Sequence, residues 1–235
     1  MKISCLSLCV GLLTWVTSVP AAPKANSPLA PIQDRPGLPR VLLIGDSISM
    51  GYTLPTRKKL EDVANVHRPP VNCGPTSRGV ESMESWLGKD HWDVIHFNFG
   101  LHDLKYVKED GSGLVDPSVG KQQIPPREYE KNLETIVGRL KQTGAILIWR
   151  NTTPVPEGSQ GRVVGDAAKY NAIAEKVMKR HGIPTQDLFS FSKEHMNSLM
   201  RPANVHFTPE GYEALADQVA KTIRKSLKSP SKSPQ

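Results

Sequence analysis

Ser47 and His206 are the two residues whose chemistry is most readily joined. Ser47 ends the stretch "VLLIGDS", where an apolar run breaks at Gly45-Asp46 and a tight turn can expose a hydroxyl. A serine hydroxyl is a poor nucleophile until a base within hydrogen-bond reach takes its proton. That base must come from a distant part of the chain. His206, in "NVHFTPEGY", is the best placed histidine, because it precedes a helix entry. Thr208 can cap that helix, Pro209 suits its first turn, and Glu210 lies near the positive end of its dipole. On residue type alone Ser47 can equally be a turn serine, and His206 a capping or packing histidine.

The elements that must bring the pair together read as an alternation of strands and helices. Val41–Ile44 is a short buried-strand run, and a helix is expected over Thr53–Ala64 with Pro55 in its first turn. "WDVIHFNFG" is a second strand, ending at Gly100. Arg127–Thr143 places Tyr129, Leu133, Ile136, Val137 and Leu140 on one helical face, stopped by Gly144. "AILIW", Ala145–Trp149, is a third strand, Ala167–Arg180 a helix and "IPTQDLF" a fourth strand. The last helix, Pro209–Lys225, turns Tyr212, Leu215, Ala216, Val219 and Ile223 inward. Such an alternation predicts an α/β fold, a three-layer α/β/α sandwich around a mainly parallel, flavodoxin-like sheet of about five strands. Chemistry in these sheets collects at the C-terminal strand ends. Ser47, the segment Gly100–Asp103 and Arg150–Thr153 all fall there.

Three motifs in order then carry a family resemblance: Gly45-Asp46-Ser47 after the first strand, "GLHDL" downstream, and His206 before the final helix. In this ordered set the chain resembles the SGNH/GDSL hydrolase family from Val41 to the last helix. The resemblance implies a serine ester hydrolase with Ser47 as nucleophile and His206 as general base. It also implies an oxyanion hole made of the Ser47 N–H, the Gly79 N–H in "NCGPTSRGVES", and a third donor at His102. Two positions depart from the family's pattern. His102 stands where asparagine is usual, and Ala203 stands where an aspartate usually precedes the histidine by three residues. Asp103 and Asp166 are the candidate carboxylates to orient His206 instead, and a backbone carbonyl is the alternative.

Composition narrows the remaining classes. The formal charge of +7 over 235 residues is partly carried by the C-terminal "KSLKSPSKSPQ". The rest lacks a basic stripe interleaved with aromatics, so nucleic-acid partners are not expected. Acidic or sulfated sugars remain compatible, with Arg150 and Arg162 as conceivable contacts. Histidines do not recur at i, i+4 and the cysteines are not paired in ligand spacing, so no metal is expected. No phosphate loop or dinucleotide fingerprint is present, so no cofactor is expected either. Cys73 reads as a passive thiol.

The domain layout expected from the sequence is a signal peptide over 1–22 with small residues Ala21-Ala22 for cleavage, and a Pro-rich linker over 23–38. The hydrolase domain follows over 39–226, then a basic tail over 227–235. That layout makes the protein secreted or periplasmic, without a stable membrane anchor. The expected substrate is a small-molecule or polysaccharide ester, with short acyl (acetyl) groups on carbohydrate favoured by polar loops at the sheet edge. A lipase or lysophospholipase is the enzymatic alternative. A non-catalytic carbohydrate-binding relative is the alternative from another class. Oligomeric state is left open.

Overall fold

The computed structural model describes residues 26–228; the expected signal peptide and most of the expected tail lie outside them. Seven strands and seven helices follow in the order β1 (Arg40–Ile44), α1 (Ser47–Lys59), β2 (Asn65–His67), α2 (Thr76–Leu87), β3 (Val94–Phe97), β4 (Tyr106–Val107), β5 (Lys121–Gln122), α3 (Pro126–Lys141), β6 (Ile146–Arg150), α4 (Asp166–Arg180), β7 (Thr185–Gln186), α5 (Leu188–Glu194), α6 (Met196–Leu199) and α7 (Pro209–Lys228). Five strands form one parallel sheet in the order β2-β1-β3-β6-β7. Its register pairs Leu42 with Ile95, Ile95 with Leu147 and Trp149 with Thr185.

Helices cover both faces, α1 with α7 on one and α2, α3 and α4 on the other. Strands shielded on both sides must be apolar throughout. Val41, Leu42, Leu43 and Ile44 are accordingly all buried. The five apolar residues foreseen for α3 are fully buried, as are Leu215, Ala216, Val219 and Ile223 of α7. The observed architecture is the expected three-layer α/β/α sandwich with a five-stranded parallel sheet.

Several boundaries differ from the sequence reading, each for a local reason. α1 begins six residues earlier than expected, because the Asp46 side chain accepts from the Ile48 N–H and starts the helix directly after β1. Pro55 therefore lies inside α1. Gly51 permits close approach of α1 to α7, since a Cβ there would meet Tyr212 Cε1 at 2.1 Å. The fourth strand shrinks to Thr185–Gln186, because Asp187 caps α5 through the Ser190 N–H. Part of the expected linker is docked on the sheet edge. Asn65 of β2 accepts from the Arg35 N–H and donates to the carbonyls of Arg35 and Leu38. That cover protects an otherwise open strand edge. None of the described helices is long and apolar enough to cross a membrane.

The two long connections at the C-terminal edge meet each other. The first carries the small β4–β5 pair, and Tyr106 N–H donates to the Gly161 carbonyl of the second at 2.8 Å. Across the second loop, a Cβ added at Gly158 would lie 3.0 Å from Ala203 Cβ, so this loop also touches the His206 segment.

Candidate active site

Ser47 is the first residue of α1, immediately beyond β1. Its placement follows from Asp46, whose capping turns the chain from strand to helix in one step. The first N–H groups of a helix lack intrahelical partners and carry its positive pole. A hydroxyl there therefore stands beside a donor suited to negative charge. The turn is braced from beneath by Arg68, which donates to Ser49 Oγ and Thr53 Oγ1 at 3.0 and 3.1 Å, and to the Gly45 and Val71 carbonyls at 3.2 Å.

His206 arrives from the other end of the domain. An antiparallel bridge between Met200 and Phe207 pinches its loop, and Arg201 N–H donates to the His206 carbonyl at 2.9 Å. Thr208 caps α7 by accepting from the Gly211 N–H at 3.0 Å. These contacts hold the ring against the start of α1, with His206 Nε2 2.9 Å from Ser47 Oγ.

The opposite ring nitrogen identifies the orienting group. Asn204 Oδ1 lies 2.8 Å from His206 Nδ1 and 3.0 Å from the His206 backbone N. The backbone N–H can only donate, so the Asn204 atom facing both must be its oxygen. Nδ1 therefore carries the ring proton, and Nε2 offers its lone pair to the Ser47 hydroxyl. Burial lowers the His206 pKa below its usual 6.5, Asp46 pulls it upward, and Arg162 and Arg201 push it down. The ring is thus neutral, in the tautomer a base requires, at neutral pH.

Neither carboxylate proposed from the sequence performs this task. Asp103 accepts from the Thr76 N–H at 2.8 Å and the Thr76 hydroxyl at 2.5 Å, capping α2, whose N-cap residue Pro75 has no side chain able to do so. Asp166 opens α4 and accepts from Lys169 Nζ at 2.9 Å and Gln122 Nε2 at 3.3 Å. Burial holds the Asp103 carboxyl up at about 7. Its folded pKa thus exceeds the unfolded value of about 3.9, so the proton stabilises the fold at low pH and this contribution fades as pH rises towards about 7. We predict that Asp103→Ala lowers stability by about 1–3 kcal/mol through the lost cap. Asp103→Asn should instead flatten the pH dependence of Tm between about pH 4 and pH 7, which thermal unfolding across that range will read.

Gly79 also lies elsewhere than expected. It sits within α2, its N–H donates to the Pro75 carbonyl at 3.2 Å, and a Cβ there would press on Ile136 and Phe99 at 2.7 and 2.8 Å. It is a packing glycine. The glycine of this segment that lies on the loop before the helix is Gly74, with φ of +64°. Asn72 Oδ1 accepts from its N–H at 3.0 Å.

His102 follows β3 and is half-buried. Burial drops its pKa to about 4, Asp46 pulls upward, and Lys105, Arg162 and Arg78 push down. At neutral pH it is a neutral imidazole with an N–H to donate. Arg150 is no substrate contact. It is fully buried, with Nη2 3.9 Å from Asp46 Oδ1 beneath the Ser47 turn. Cys73 is buried, which pushes its thiol up to about 11 and keeps it protonated.

Sequence reasoning missed Asn204 as the orienting group, although a signal was present. An Asx side chain commonly bonds the backbone N–H two residues on, and "NVH" has that spacing. Arg68 left no comparable mark, since only folding reveals what a buried arginine spans.

Comparison with known proteins places this geometry. The model of the GDSL-like lipase/acylhydrolase family matches residues 43–214. A search of curated proteins by sequence finds no match. Among solved structures, the chain is similar to the acetyl xylan esterase AlAXEase at 16% identity and a TM-score of 0.64, covering 78% of this chain and 99% of that one. It is similar to a lipase/acylhydrolase from Enterococcus faecalis at 17% identity and a TM-score of 0.64, covering 80% and 96%. Axe2, an acetylxylan esterase from Geobacillus stearothermophilus, is 15% identical with a TM-score of 0.61, covering 81% and 94%. At such identities the structures attest the fold, while the family match runs from the first strand into the last helix: the chain belongs to the GDSL-like lipase/acylhydrolase family and is a serine ester hydrolase.

Proposed function

We propose that the chain hydrolyses short-chain esters, acetyl groups on carbohydrate foremost, through an acyl-enzyme on Ser47. The observation that carries this reading is the contact of Ser47 Oγ with His206 Nε2 at 2.9 Å, with Nδ1 fixed on Asn204. His206 takes the hydroxyl proton as Ser47 attacks the acyl carbon, then returns it to the departing alcohol. Water then attacks the acyl-enzyme as His206 takes its proton, and His206 passes that proton to Ser47 Oγ as the bond to the acyl carbon breaks and the acid leaves. Charge accumulates on the carbonyl oxygen of each tetrahedral intermediate. The Ser47 N–H at the head of α1 and the neutral His102 ring are its donors, with Gly74 taking the place first given to Gly79. The Gly74 N–H must leave Asn72 to do so. A preorganised donor is worth about 10²–10³-fold in rate, and the Gly74 N–H, which must first release Asn72, contributes less.

The acetyl-carbohydrate preference is supported by two structural neighbours described as acetyl xylan esterases. Arginine and lysine side chains beside the two histidines support it as well, being poor walls for a long acyl chain. Export to a secreted or periplasmic location belongs to the same reading, since acetylated polysaccharides lie outside the cell. The test is hydrolysis of p-nitrophenyl acetate against p-nitrophenyl octanoate by the purified protein. We expect kcat/KM for acetate to exceed that for octanoate by about tenfold or more. The reverse order would favour a lipase, and no turnover of either ester would remove the esterase reading.

A further inference from the structure

The cations whose charges act on the two site histidines have no carboxylate within ion-pair distance among the described residues. Some arginines away from the site do meet carboxylates: Arg35 with Asp62, Arg40 with Asp34 and Asp90, and Arg180 with Glu130 and Glu134. Lys59 likewise meets Glu213 and Asp217. Arg78, Lys105, Arg162 and Arg201 make no ion pair among the described residues. Their side chains rest on neutral carbonyls or none. Arg162 Nε donates to Leu101 O, beside His102, at 3.3 Å, and its Nη1 to Gln160 O at 3.3 Å. Arg78 Nη1 donates to Asn72 O at 3.1 Å, and its chain lies across the Gly74 turn, where an added Cβ would meet Arg78 Cδ at 3.6 Å. Arg201 binds the His206 loop through its backbone N–H and through Nε to Phe207 O at 3.1 Å. Lys105 follows His102 by three residues and is half-buried.

These four come from separate segments and act on the same two rings, Arg78, Lys105 and Arg162 on His102, and Arg162 and Arg201 on His206. The carboxylate that acts on both histidines and on Arg162, Asp46, is only 1% exposed and faces the buried Arg150, and Asp103, which acts on Lys105, is fully buried. Neither can neutralise the mouth of the site. Beside Arg162 an open groove of about 750 Å³ runs between residues 114–118 and 158–163. Its one carboxylate, Asp116, is occupied by the Ser118 N–H and hydroxyl. Gathering like charges without counter-charges costs stability, and a fold keeps such a field where it draws in an oppositely charged ligand.

Building on the esterase reading, we propose that the ester is carried on an anionic carbohydrate, whose carboxylate or sulfate is held by Arg78, Lys105, Arg162 and Arg201, with the polymer continuing into the groove beside Arg162. Guanidinium groups recognise either anion through paired N–H donors.

The experiment compares kcat/KM on acetylated polyuronate, acetylated sulfated galactan and acetylated neutral xylan, with p-nitrophenyl acetate as an uncharged reference. We expect at least one anionic polymer to exceed xylan by about tenfold or more at low salt. The better of the two identifies the anion. Raising NaCl to about 0.5 M should erase that advantage, because exposed charges are then screened. In Arg78→Gln/Arg201→Gln, the ratio of anionic to neutral kcat/KM should fall about tenfold. Turnover of p-nitrophenyl acetate with no anionic preference at any salt overturns this proposal alone. No turnover of any ester overturns both readings.

Discussion

Ser47→Ala is expected to lower kcat on p-nitrophenyl acetate by about 10⁴-fold or more, with the fold intact by circular dichroism. His206→Ala should cost a similar factor, and the double variant little beyond either alone. The non-additivity is the informative part. Ser47 Oγ and His206 Nε2 share one hydrogen bond at 2.9 Å, so each is inert without the other. The hydroxyl cannot shed its proton, or the imidazole has none to accept. Activity that survives in either single variant reflects the oxyanion donors and substrate binding, which outlast loss of the nucleophile in hydrolases of this logic. Retention of more than about a tenth of wild-type kcat in Ser47→Ala would remove Ser47 from the chemistry.

Asn204→Ala is the second large effect, expected to lower kcat by about 10²–10⁴-fold with KM little changed. Removing the Asn204 oxygen releases the proton on Nδ1 from its acceptor. The ring can then rotate or take the other tautomer, with Nε2 protonated and useless to Ser47. A neutral amide serves here because its oxygen is pinned by the His206 backbone N–H. The pH profile separates this role from simple packing. His206 must be neutral to act, so kcat/KM falls as pH drops through its pKa, which burial places below 6.5. In Asn204→Asp a carboxylate faces Nδ1 and favours the imidazolium, so the acidic limb should move up by about one pH unit. An unmoved limb with unchanged kcat in both variants would leave Asn204 as a loop residue only. Ala203→Asp should not rescue Asn204→Ala. Ala203 has φ of +49°, in the left-handed region, and its Cβ stands against Gly158.

The failures of the sequence reading share one cause with its successes. Tyr129, Leu133, Ile136, Val137 and Leu140 could be assigned to a buried face because helical period fixes which side chains align, whatever they pack on. Gly79 could not be told from Gly74 by the same means. Both are glycines in one short segment, and the difference is that Ile136 of α3 and Phe99, just beyond β3, press on one of them. Asp103 and Asp166 were reasonable carboxylates by position, yet Thr76 and Lys169 engage them first. Arg150 looked like a loop cation after a strand and proved to be among the most deeply buried side chains, facing Asp46.

The sequence alone determined the layers and the parallel sheet, because apolar periodicity is a local property that survives without coordinates, and the order of its motifs, rather than residue type, singled out Ser47 and His206. Only the tertiary structure decided what serves His206, that Gly79 is packed inside α2, and which partners Asp103, Asp166 and Arg150 take. Those depend on distances between segments far apart in the chain, and a buried polar group takes whichever partner folding brings within reach.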